Sequence, residues 1–116
     1  MIRGAHTILF AEDAEAARAF FRDVLRFPAA DAGGGWLIFA LPPGELAVHP
    51  GPVGDCRLYL MCDDLRATMA ELEARGVEFT ADVSTERWGL VTSLRVPGAG
   101  EIGLYQPTHA SPLAGF

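Results

Sequence analysis

The chain runs through one pattern twice. A strand-like segment at residues 4–10 (Gly-Ala-His-Thr-Ile-Leu-Phe) leads to the acidic pair Glu12-Asp13, which offers a helix cap, and an amphipathic run. The same order returns as Arg57 to Cys62, then Asp63-Asp64, then a second amphipathic run. Laying Asp13 on Asp64 sets an offset of 51 residues, which also pairs His6 with Arg57, Ile8 with Tyr59, Phe10 with Met61 and Phe21 with Leu72. Leu37-Ile38 match Leu90-Val91 at an offset of 53, and Gly44-Glu45-Leu46-Ala47-Val48-His49 match Gly100-Glu101-Ile102-Gly103-Leu104-Tyr105 at 56. Offsets that only grow mark insertions in the turns between two copies of one unit.

Within the first copy, Ala17, Phe20, Phe21, Val24 and Leu25 recur at steps of three and four, which predicts one apolar helix stripe with Pro28 as its stop. A weak strand signal lies near residues 28–32, Gly33-Gly34-Gly35 reads as a hairpin turn, and Trp36 to Leu41 form a second apolar run. Pro42-Pro43-Gly44 then turn the chain into a strand over Glu45 to His49. In the second copy Leu65, Met69 and Leu72 make the helix stripe and Gly76 ends it. Each copy is a strand, a helix and two or three antiparallel strands, too small to bury its own sheet and helix alone. Two half-sheets, each with a helix on one face, leave their opposite faces to surround a shared hollow.

Composition bounds the function. The 116 residues, 50% of them apolar, suit one domain, and a formal charge of −6 argues against nucleic acid or anionic lipid as a default partner. No export signal is visible at the amino terminus, and the apolar stretches fall short of the roughly 20 residues that cross a bilayer, so a cytoplasmic protein with no membrane association is expected. Cys56 and Cys62 sit six residues apart in one predicted strand. At about 3.3 Å per residue that is too far for a disulfide, which leaves them as buried reduced thiols facing the helices.

The doubled unit, the opening Gly-Ala-His-Thr-Ile-Leu-Phe, the helix with Phe20-Phe21-Arg22-Asp23-Val24-Leu25, and the closing run from Pro97 to Tyr105 resemble the vicinal oxygen chelate superfamily. That group includes glyoxalase I, extradiol dioxygenases and bleomycin and fosfomycin resistance proteins. The resemblance implies an α+β fold of two βαβββ modules, residues 4–50 and 55–107, forming a curved mixed sheet around a concave pocket. It covers about residues 4 to 107 of a single domain, 1–107, followed by a tail at 108–116, and together with the small size and an exposed sheet edge or apolar helix face it implies a homodimer. It is specific for fold and poor for reaction, because several chemistries share this scaffold.

In metal-dependent relatives one ligand comes from the first strand and one from the last strand of each module. Carried onto this chain, those positions are His6, Arg57, Ala47 and Gly103, of which only His6 is a metal ligand. A guanidinium in such a position repels the ion. At an effective dielectric of about 20, a unit charge about 4 Å from a dication costs roughly 8 kcal/mol. The favoured reading is therefore a small-molecule binding protein without the usual metal or any other cofactor. Its ligand-binding residues are His6, Arg57, Tyr59, Glu45, Glu101 and Tyr105, with Trp36 and Trp88 as aromatic candidates of a kind that more often fills core or interface.

The alternative is an enzyme. A displaced site of His6, Glu45, His49 and Glu101 would hold zinc, nickel, iron or manganese for glyoxalase I-like lyase or extradiol chemistry. It needs a register change, because each two-residue step moves a ligand about 6.6 Å along its strand. A metal-free variant uses His6 with Glu101 as acid and base beside a carbonyl anchored on Arg57, an isomerase step. His109 in the tail has no assigned role.

Overall fold

Two aspartates start the two helices. In the computed structural model, which describes residues 7, 9, 11–44, 57–108 and 110, Asp13 Oδ1 accepts the Ala16 amide at 3.0 Å and Asp64 Oδ1 accepts the Ala67 amide at 3.0 Å. Each carboxylate satisfies one of the amides that a helix start leaves without a partner. Helix α1 spans Ala14–Ala19 and continues as a π-helical turn over Phe20–Val24, while α2 spans Leu65–Ala74.

The π turn adds one residue to the first copy. Its helix exit closes with the Phe27 amide on the Phe21 carbonyl at 3.0 Å, and the second closes with the Val77 amide on the Leu72 carbonyl at 3.0 Å. Phe21 and Leu72 are a repeat pair, so the same closure spans six residues in one copy and five in the other. Both exits need a left-handed residue: Gly76 provides it at φ 87°, and Arg26 at φ 60°. The first helix thus stops at Arg26, ahead of the expected stop at Pro28.

The weak strand signal is real and the apolar run after it is shorter than expected. Strand β1 (Ala29–Asp31) pairs antiparallel with β2 (Leu37–Phe39), in the register Ala30 opposite Ile38. Asp31 Oδ1 accepts the Gly33 amide at 2.7 Å and the Gly35 amide at 3.3 Å, folding the glycine turn over itself.

The second copy is complete. Strands β3 (Tyr59–Met61), β4 (Ser84–Glu86), β5 (Gly89–Arg95) and β6 (Glu101–Pro107) form one sheet in the order β3-β6-β5-β4. β3 runs parallel to β6 and the other pairs are antiparallel, so the strand, helix and three strands close into one βαβββ module. Its core face carries Leu94, Val96, Ile102 and Leu104 against Leu65 and Leu72 of α2. Ala17, Phe20 and Phe21 of the first helix join the same cluster, so both helices share one core.

Among the described residues two polar ties fasten the copies together. The Asp13 amide donates to the Gly98 carbonyl at 3.1 Å, and Arg75 Nη1 donates to the Val24 carbonyl at 3.1 Å. Cys62 is half-buried on the core side of β3. The expected strands at 4–10 and at Glu45 to His49, together with Cys56 and His109, lie outside the described residues apart from Thr7 and Leu9, neither of which is in a strand. The described residues form two open sheets, of two and four strands.

Candidate functional site

Alternation divides the four-stranded sheet cleanly. Leu58, Leu60, Ile102, Leu104 and Leu94 face the helices, so Arg57, Tyr59, Glu101, Gly103, Tyr105, Val91 and Ser93 share the opposite face. The parallel register sets Tyr59 beside Gly103, and a β-carbon added to that glycine would overlap the Tyr59 ring. Only a residue without a side chain lets the ring lie across the neighbouring strand.

Three rings gather there. Tyr59 and Trp88 have centroids 5.5 Å apart at 81°, Tyr59 and Tyr105 6.0 Å at 86°, and Trp88 and Tyr105 5.1 Å at 72°. All three are edge-to-face contacts, in which the positive rim of one ring meets the negative face of another. Trp88 is delivered by the two-residue turn between β4 and β5, where Glu86 pairs with Gly89, and its carbonyl accepts the Thr108 amide at 3.0 Å. Tyr105 is 7% exposed beneath the cluster, whereas Tyr59 is 38% exposed and presents the accessible ring.

A cavity of about 500 Å³ opens beside it, lined by Tyr59, Gly103, Val91 and a polar rim that includes Arg57, Glu101 and Ser93. Arg57 precedes β3, and it and Glu101 both line this cavity. Glu101 is held by a hydroxyl relay. Ser93 and Thr80 hydroxyl oxygens lie 2.8 Å apart, and Thr80 donates onward to the Glu101 carboxylate. Because that carboxylate only accepts, the single Thr80 proton is committed to it and Ser93 must be the donor to Thr80.

The sequence-derived candidates separate into groups. Arg57, Tyr59 and Glu101 meet at the cavity, and Tyr105 and Trp88 back it through Tyr59. Trp36 does not join them: it is 67% exposed beside the glycine turn, with the Arg18 guanidinium 4.7 Å from its ring centroid. His6, Glu45 and His49 lie outside the described residues. Asp82, Ser84, Ser93 and Val91 also line the cavity and were not singled out from sequence. Strand alternation from Tyr105 would have found Ser93 and Val91; Asp82 carried no periodic signal.

The metal-dependent positions within reach are Arg57 and Gly103, and neither fits a divalent ion. A guanidinium offers no lone pair, and a donor side chain at Gly103 would displace Tyr59.

Residues 3–98 match the model of the Glyoxalase/Bleomycin resistance protein/Dioxygenase superfamily. The chain belongs to that superfamily. Among solved structures it is similar to TnmS3, described as an antibiotic binding protein from Streptomyces sp. CB03234, at 31% identity and TM-score 0.62, over 93% of this chain and 100% of that one. A glyoxalase/bleomycin resistance protein from the same Streptomyces strain is 29% identical with TM-score 0.56, covering 84% of this chain and 95% of the other. Lactoylglutathione lyase from Agrobacterium tumefaciens shares the fold at TM-score 0.65 and 19% identity, over 98% of this chain and 97% of that one. No curated protein matches. Among the described residues of this superfamily member no helix is long and apolar enough to cross a membrane.

Proposed function

We propose that this superfamily member binds a small organic molecule with an aromatic portion in the cavity beside Tyr59 and releases it unchanged, without a divalent metal. The observation that carries the reading is the exchange at Gly103. Where metal-dependent relatives place a ligand residue, this chain has a glycine, and the space over it is filled by an aromatic ring. Tyr59 offers an exposed edge and face to a planar ligand, and Trp88 and Tyr105 hold its orientation from behind. Arg57, Ser93 and Glu101 supply polar partners at the rim. The 31% identity to an antibiotic binding protein over its full length supports an antibiotic-like ligand.

The test is metal analysis of protein purified without a polyhistidine tag, together with a thermal-shift screen of aromatic antibiotics, aromatic cations and aromatic carboxylates. The expected result is less than a tenth of an equivalent of nickel, zinc, iron or manganese and a rise in melting temperature with at least one compound. About one equivalent of bound metal with lyase or dioxygenase turnover would replace this reading by the metal enzyme.

A further inference from the structure

The edge strand of the four-stranded sheet is interrupted beside the cavity. Before the interruption the Thr80 amide donates to the Ser93 carbonyl at 2.9 Å and Phe79 bridges Leu94; after it Ser84 pairs with Val91. Three residues, Ala81, Asp82 and Val83, therefore stand opposite the single residue Thr92, a bulge of two extra residues. Thr92 is 3% exposed, and its hydroxyl donates to the Ala81 carbonyl at 2.7 Å. That partly buried bond pins the excursion to β5 where the ladder cannot.

Parity survives the insertion. Phe79 and Val83 still pack on the core, while Ser84 still lines the cavity. The excursion is what brings Asp82 to the cavity rim, where Arg57, Glu101, Ser84, Thr92 and Ser93 are among the other polar lining groups. Ala81 and Asp82 also border a second groove of about 450 Å³ that runs toward Arg66 and Glu73. Bulges beside a binding site re-aim a side chain that a regular strand would direct elsewhere.

Resting on the cavity reading above, we propose that Asp82 is the residue that selects ligands by charge, and that Thr92 is the residue that positions it. A carboxylate at the mouth favours an ammonium or amidinium group and disfavours an anion. Among the described lining residues Arg57 is the cation and Glu101 and Asp82 are the carboxylates, so Asp82 supplies the second negative charge.

The experiment measures binding of two shape-matched probes, 1-naphthylmethylammonium and 1-naphthoate, by titration calorimetry of the full chain. Asp82→Asn is expected to weaken the cation about threefold to fivefold and leave the anion equal or tighter, the range for a partly solvated charge pair. Thr92→Val is expected to shift the cation-to-anion ratio in the same direction, and Thr92→Ser, which keeps the hydroxyl, to restore it. An unchanged ratio in Asp82→Asn, with both probes still bound, overturns the role of Asp82 and leaves the cavity reading standing. If the wild-type chain binds neither probe, the cavity reading itself fails and this inference with it. Should Thr92→Val not fold, the exposed Asp82→Asn variant alone decides.

Discussion

Tyr59 lies across Gly103 on the neighbouring strand, in space that any side chain on the glycine would claim. Gly103→Ala must therefore evict the ring from its contacts with Trp88 and Tyr105. The expected loss is about 1 kcal/mol of stability, from the aromatic contacts and a strained neighbour. The near-ultraviolet circular dichroism should lose the signature of the aromatic cluster while the far-ultraviolet spectrum stays. An unaltered near-ultraviolet spectrum would mean that the ring does not depend on the glycine.

Arg26 and Gly76 occupy the same left-handed exit in the two copies, at φ 60° and 87°. The glycine is suited to it and the arginine is not. Arg26→Gly is expected to raise the unfolding free energy by about 0.5–1 kcal/mol, and Gly76→Ala to lower it by about 1 kcal/mol. Urea denaturation of the two variants gives opposite shifts of the midpoint if both exits are as described; equal signs would contradict the shared geometry.

Cys62 offers a pH-dependent readout of the core face. Burial pushes its thiol up from the ordinary value of 9.0, with the nearby Asp63 and Asp64 charges adding to it and a hydrogen bond from Thr68 opposing. A raised acid holds its proton longer folded than unfolded, so its contribution to stability is fully present below the unfolded value and is lost as pH climbs through the folded one. Peptide mapping after iodoacetamide at pH 8 should show Cys62 labelled more slowly in the native chain than in urea. Equal rates would place the thiol in solvent.

The repeat made the helices and their caps legible. Asp13 and Asp64 both proved to be capping residues, because a carboxylate ahead of an apolar stripe has a local partner in the third amide on. The face shared by Tyr59, Gly103 and Tyr105 followed from the ligand positions that the family resemblance implies, extended by the repeat offset and strand alternation. Two features were silent in the letters. The π turn at Phe20–Val24 keeps the same residues apolar as an ordinary helix would, so the stripe cannot reveal the added residue. The bulge at Ala81 to Val83 keeps the inside and outside parity of its strand, so a period of two passes over it and Asp82 reads as a surface loop residue. Trp36, which follows three glycines, is exposed under the Arg18 guanidinium and does not line the cavity beside Tyr59.

The tie between the copies can be isolated with a pair of glycines in one hairpin. Gly98 and Gly100 both sit in the turn between β5 and β6, at φ 76° and 74°, so alanine carries the same backbone penalty of about 1 kcal/mol at either. Their surroundings differ. Open space surrounds a β-carbon on Gly100, whereas one on Gly98 would come 2.6 Å from both the Asp13 carbonyl oxygen and its Cβ. The obstacle is backbone at the start of α1, where the Asp13 amide also donates to the Gly98 carbonyl, so relief requires moving the helix cap. Gly98→Ala should therefore cost about 1–3 kcal/mol more than Gly100→Ala, the range for overpacking against a fixed neighbour. Chemical denaturation of the two variants measures that difference directly, since the common torsional cost cancels. Equal losses would mean that the first helix does not lean on the second copy's hairpin, leaving the shared core and the Arg75–Val24 hydrogen bond to join the copies.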